Sequence, residues 1–175
     1  SKALELDPKL SVASLKKGHV NSFLSHFEEA RSDYDAGVDG AVGPNRIAFA
    51  NYRAFVHVHA DRPGDAIREL RQIAADAGRS DLDPNDRYGV QVFTLTNAAA
   101  IALHHRMNQE AKEILDERAR LMIGESERLA DPDFTRRQQA NIQLWNARAS
   151  LAWGDLEQAR RAVQTHHELL EPDRD

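Results

Sequence analysis

The sequence predicts an all-α chain of about four antiparallel helix pairs, and three observations predict it. All six prolines (Pro8, Pro44, Pro63, Pro84, Pro132 and Pro172) lie where a helix would begin or end. Proline lacks the N–H that a helix interior needs, but its fixed φ suits the first helical turn. Between these points apolar residues recur at three and four, as in Ile67-Leu70-Ile73-Ala74. No segment alternates with period two over a useful length, so no strand is predicted.

The elements follow in order. Asp7-Pro8 opens a helix over 9–24, with Asp to cap the free amides and Pro in the first turn. Ser25-x-x-Glu28 reads as a capping box for 27–38. Pro44 opens 45–60, and the tight turn Asp61-Arg62-Pro63-Gly64 leads into 64–77. Asp83-Pro84 repeats the cap before 85–106, and Asn108 is the expected cap of 109–129. Asp131-Pro132 opens 133–153, and Trp153-Gly154-Asp155 turns the chain into 156–170. Turns inside pairs are short, whereas the links between pairs are longer and richer in Gly, Asp and Pro.

Composition narrows the function. Of 175 residues, 23 are Lys or Arg and 28 are Asp or Glu, a net charge of −5. Nucleic-acid binding needs a clustered basic surface, so no nucleic-acid partner is expected. No apolar run approaches the roughly 18 residues of a membrane span, so none is expected. With no cysteine, disulfides, thiol nucleophiles and cysteine-bound zinc are excluded. Residues 1–20 contain no apolar signal core; the compartment stays open, with a lean toward the cytoplasm.

A repeat underlies the pairs. A small residue is followed twelve positions later by Ala and four further by a large apolar residue. Gly18…Ala30…Tyr34, Ala54…Ala66…Leu70, Ala99…Ala111…Leu115 and Ala147…Ala159…Val163 all fit. The separation between units varies: Ala30 to Ala66 is 36, Ala66 to Ala111 is 45 and Ala111 to Ala159 is 48. Two helices approach closely where both present small side chains, which locks the internal distance. Lengthening a surface connection costs little.

This pattern resembles the tetratricopeptide repeat family of helix-turn-helix units. Ala3-Leu4-Glu5-Leu6-Asp7-Pro8 is similar to the end of a preceding repeat, so residues 1–8 read as its tail and further repeats are expected upstream. The resemblance implies one repeat domain over 1–175, a right-handed α-solenoid with repeats near 10–42, 45–78, 85–129 and 133–171. The later repeats have elongated helices or links. The tryptophan usual in the family's first helix is replaced by Ser14, Ala50, Leu95 and Gln143.

In that family a concave groove is lined by offsets −6, −3, +1 and +5 from the small residue, and these share a helical face. Here they are Val12, Leu15, His19 and Phe23; Ala48, Asn51, Phe55 and His59; Phe93, Thr96, Ala100 and His104; Asn141, Leu144, Arg148 and Ala152. Tyr52, Asn97 and Trp145 flank the same face. The expected binding residues are therefore His19, Phe23, Asn51, Tyr52, Phe55, His59, Thr96, Asn97, His104, Trp145 and Arg148. Rings would supply binding energy, and amides would bond a peptide backbone. Asn51 and Asn97 are the strongest groove markers, because an amide is harder to place in a core than a ring. The carboxylate clamp of the chaperone-tail-binding members is absent, since its positions hold Leu15, His19, Tyr52, Phe93 and Asn97.

Catalytic chemistry is not expected. His57-Val58-His59-Ala60-Asp61 begins like the metal motif of metallo-β-lactamase-type hydrolases, but Arg62 stands where its last histidine belongs. On a helix His57 and His59 point about 200° apart, so no metal and no cofactor are expected. Gly-rich phosphate loops and nucleophile elbows are missing too. The expectation is a non-catalytic scaffold that binds a peptide or protein. A regulatory domain that responds to a small ligand or signalling peptide is the second reading, and self-association into homo-oligomers is the third.

Overall fold

The structure, a computed structural model, describes residues 10–171. The readings that rest on Asp7, Pro8, Pro172 and the stretch 1–8 lie outside the described residues. Among the described residues there are eight helices and no strand: α1 (Ser11–Phe23), α2 (Phe27–Gly40), α3 (Pro44–His59), α4 (Pro63–Gly78), α5 (Pro84–His104), α6 (Asn108–Leu129), α7 (Pro132–Trp153) and α8 (Leu156–Leu170). Each end falls within two residues of the sequence expectation.

Some starts are as expected and others are not. The Asp131 carboxylate accepts from the amides of Asp133 (2.9 Å) and Phe134 (3.1 Å), and Asp83 accepts from Asn85 (2.9 Å). The capping box at Ser25 does not form. His26 occupies the cap of α2, and Ser25 is in the left-handed region at φ +61°. Asn108 is likewise the first helical residue rather than the cap, which is Met107. Asp155 supplies a cap the sequence reading missed, accepting from Gln158 N at 2.9 Å.

The four hairpin turns share one backbone design. Ser25, Asp61, Arg106 and Gly154 each lie seven residues past the small residue of their unit, and each has positive φ (+61°, +57°, +57° and +82°). The next amide then reaches back over the turn: His26 N to Asn21 O (2.9 Å), Arg62 N to His57 O (2.8 Å), Met107 N to Ala102 O (2.8 Å) and Asp155 N to Ser150 O (2.9 Å). Such a bond closes the end of the first helix, leaving fewer orphan carbonyls.

The chain divides into two compact units, residues 1–98 and 99–175. In the first, α1 packs on α2, α2 on α3, α3 on α4, and α1 also touches α3. Gly18 is required here: a Cβ on it would lie 2.8 Å from Tyr34 Cε1, so the Tyr34 ring sits directly on the α1 backbone. Ala30, Tyr34 and Val56 form the local core, with Leu15 and Phe27 against it. Lys17 and Asn21 on α1 both donate to the Asp33 carboxylate on α2, at 2.6 and 2.7 Å. In the second unit α6 packs on α7 and α7 on α8 around Ile114, Leu115, Met122 and Ala147.

All eight small residues of the repeat signature are buried, from Gly18 and Ala30 to Ala147 and Ala159. The longer spacing of the later repeats is taken up mainly by helix. α5, α6 and α7 run 21, 22 and 22 residues, against 13 to 16 in α1–α4. Only Ala130 and Asp131 separate α6 from α7, so an expected long link is corrected there. Ala130 makes that corner at φ +51°.

Candidate functional site

Five of the expected binding residues converge in the first unit. His19 and Phe23 from α1, and Tyr52, Phe55 and His59 from α3, line one open pocket of about 420 Å³. Helical spacing accounts for this: His19 and Phe23 are four apart, as are Phe55 and His59, so each pair shares a face. Ser22, Ser25, Phe27 and Tyr34 complete the wall. Tyr34 is the important residue the sequence reading missed, because its position in the repeat is a packing position. The signal was its hydroxyl, where the other units carry Leu70, Leu115 and Val163.

The rings are set mostly at right angles. Tyr52 meets His19 edge-on (centroids 4.9 Å apart, planes at 77°) and Phe55 edge-on (6.2 Å, 82°). Tyr34 lies near-parallel to Tyr52 (6.3 Å, 19°). The Tyr34 hydroxyl is 2.6 Å from His19 Nδ1. Burial, with Tyr52 and Asp33 nearby, pushes the Tyr34 phenol up to about 12. Burial, with the Lys16 charge, holds the His19 imidazole below its ordinary value. The phenol therefore keeps its proton and the imidazole is neutral, and the two share one hydrogen bond. Phe23 is 89% exposed at the rim, and Tyr52 is also exposed. Their rings are not part of the core.

Asn51 is a correction. It is 1% exposed and faces inward. Its Nδ2 donates to Ile47 O (2.9 Å) and to Thr94 Oγ1 (3.0 Å), and its Oδ1 accepts from Asn97 Nδ2 (3.1 Å). The two amides taken as groove markers thus tie α3 to α5. A buried amide is tolerated because each polar atom has a partner. Asn97 is half-buried in this chain of bonds, and Thr96 returns its hydroxyl to Val92 O at 2.7 Å.

The remaining expected residues, His104, Trp145 and Arg148, belong to the second unit. Trp145 is buried, with the guanidinium carbons of Arg148 and Arg118 over its ring, 4.8 and 5.6 Å from the centroid. Trp145 is thus a core ring, a second correction, while Arg148 is exposed above it. His104 is exposed and stands edge-on to His105, with centroids 5.0 Å apart.

His57 and His59 do diverge. His59 lines the pocket, whereas His57 joins an ionic network on α2, α3 and α4. There Arg31 contacts His57 Nε2 (2.8 Å) and Glu69 Oε2 (3.1 Å), while Arg53 binds Glu69 Oε1 (2.5 Å) and Asp35 (2.7 Å). Burial opposes ionisation of Glu69, but Arg53 and Arg31 outweigh it and hold its carboxyl below the usual value. Among the described residues no cluster of three His, Cys, Asp or Glu side chains is placed to hold a metal, and no helix is long and apolar enough to cross a membrane. No protein-family model, curated protein or solved structure matches the chain.

Proposed function

We propose that the helix pairs are tetratricopeptide-type repeats and that the chain is a non-catalytic binding module. Its partner would be a peptide or protein segment, anchored in the aromatic pocket of the first unit. One observation carries this reading: rings from α1 and α3 at two shared repeat offsets (His19 with Phe55, Phe23 with His59) meet at an open pocket instead of filling the interior. Aromatic rings dominate binding energy where a partner buries them. Phe23, almost fully exposed beside an apolar wall, has the character of an interaction surface. The Ser22 and Ser25 hydroxyls at the pocket offer polar contacts for a backbone.

The test is selection of displayed peptides on the whole chain, followed by affinity measurement on wild type, Phe23→Ser and Tyr52→Ala. Circular dichroism would check that all three fold alike. Peptides that bind wild type and weaken at least about tenfold with both variants support the reading, a loss of about 1.4 kcal/mol. Peptides indifferent to both variants place the interface elsewhere, and a selection that yields none removes the reading.

A further inference from the structure

The chemistry of the pocket goes one step further, and this step rests on the binding-module reading above. We propose that the aromatic pocket accepts a quaternary ammonium group of the bound partner, held against the faces of Tyr52 and Phe55 with His19 closing one side.

Three features select that occupant. The first is ring geometry. Tyr52 meets His19 at 77° and Phe55 at 82°, edge to face, and all three rings line the one open pocket. A ring face carries negative quadrupole charge and attracts a cation within about 6 Å of its centroid. Several rings on one open pocket give a compact cation more than one aromatic neighbour.

The second is the charge of the lining. Among the described residues no Lys, Arg, Asp or Glu lines the pocket, Lys16 acts on His19 from outside the lining, and the chain as a whole carries −5. A cation meets no like charge in the wall and is drawn in by the overall field.

The third is the supply of hydrogen-bond acceptors. Primary ammonium carries three N–H donors and guanidinium five, and each donor left unmet in a partly dry pocket is costly. The lining offers hydroxyls and imidazoles but no carboxylate, and the Tyr34 hydroxyl is already engaged with His19. A quaternary ammonium has no N–H to satisfy.

The experiment compares two probes of nearly equal shape on the whole chain. Choline carries the trimethylammonium head, and 3,3-dimethylbutan-1-ol replaces its nitrogen by carbon. NMR titration should show choline shifting the resonances of Tyr52, Phe55 and His19, with affinity at least about tenfold above the neutral alcohol. Tyr52→Leu, which keeps apolar bulk but removes a ring face, should abolish most of that preference. Phe23→Ser, at an exposed rim position, provides a variant whose folding is not in question and should weaken choline less. Equal or tighter binding of the neutral alcohol overturns the proposal and leaves a purely apolar peptide anchor. No shift with either probe overturns it as well, and the binding-module reading then stands or falls on peptide selection alone. Retention of the choline preference by Tyr52→Leu also sinks it.

Discussion

The two units build the same hairpin and differ in what joins one hairpin to the next. In both, small residues twelve apart are buried, and a left-handed residue seven past the first closes the turn. Beyond that the first unit invests in polar links across helices. Glu69 on α4 holds Arg31 of α2 and Arg53 of α3, and Asn51 of α3 holds Thr94 of α5. In the second unit the link from α6 to α7 is a neutral-acceptor bond, Arg118 to Asn141, and the ion pairs Arg128–Glu125, Arg136–Asp133 and Arg161–Glu157 each stay within one helix. The hairpin is therefore set by small-residue spacing, while the surfaces between hairpins are free to diverge. The aromatic pocket arises on such a surface, where α1 and α3 face each other. Binding chemistry can change there without disturbing the repeat.

The sharpest break of that comparison uses the third signature position, which is equivalent in sequence but not in burial. Leu70 is fully buried in the first unit, whereas Val163 in the second is 40% exposed. Leu70→Ala should cost about 3–5 kcal/mol, combining lost transfer energy with a residual cavity. Val163→Ala should cost less than about 1 kcal/mol. Denaturant midpoints, compared at unchanged slope, read both. Similar losses at the two sites would mean that the hairpins are packed alike and the comparison fails.

A second, smaller effect concerns charge. Glu69→Gln leaves Arg31 and Arg53 without their shared carboxylate. Because all three side chains keep some exposure, the cost should be about 2–3 kcal/mol, under the ~3–5 of a fully buried pair. Glu157→Gln, at a side chain 81% exposed, should cost under about 0.5 kcal/mol. The pH dependence has a definite sign. Since the folded carboxyl of Glu69 sits below the ordinary 4.5, its contribution is complete above that pH. It is lost as pH falls from there through the folded value. Wild type should therefore lose stability on acidification more steeply than Glu69→Gln. Parallel acid-unfolding curves for the two would remove Glu69 as the cause.

The same division between hairpin and surface explains what could be read in advance. Helix ends were legible because Pro44, Pro63, Pro84 and Pro132 each open a helix, and period three-to-four filled the spans between. His19, Phe23, Phe55 and His59 were legible as one surface because spacing along a helix fixes the face a residue occupies. Asn51 was misplaced because its face turns against a neighbour. Its partner Thr94 is 43 residues away, and no local spacing reports that contact. Tyr34 was read as packing, which it is at 3% exposed, but packing does not stop its hydroxyl from reaching His19. The turns were hidden for another reason. Only Gly154 announces positive φ; Ser25, Asp61 and Arg106 adopt it because the closing bond and the helices on either side require it.

Those turns supply the finest comparison, since four sites share one conformation but not one residue. A left-handed backbone brings Cβ close to the following carbonyl oxygen, so glycine alone adopts it freely. Gly154→Ala should cost about 1–2 kcal/mol, because the φ of +82° would persist under the bond from Asp155 N to Ser150 O. Arg106→Gly at the corresponding turn should go the other way. Strain relief exceeds the added freedom of the unfolded chain, and the expected net gain is about 0.5 kcal/mol. Asp61→Gly should gain less, because Asp and Asn tolerate this region better than Arg. Thermal melts should therefore rise for Arg106→Gly, change least for Asp61→Gly and fall for Gly154→Ala. A fall for Arg106→Gly would show that its side chain stabilises the turn beyond its backbone, and the four turns would no longer be equivalent.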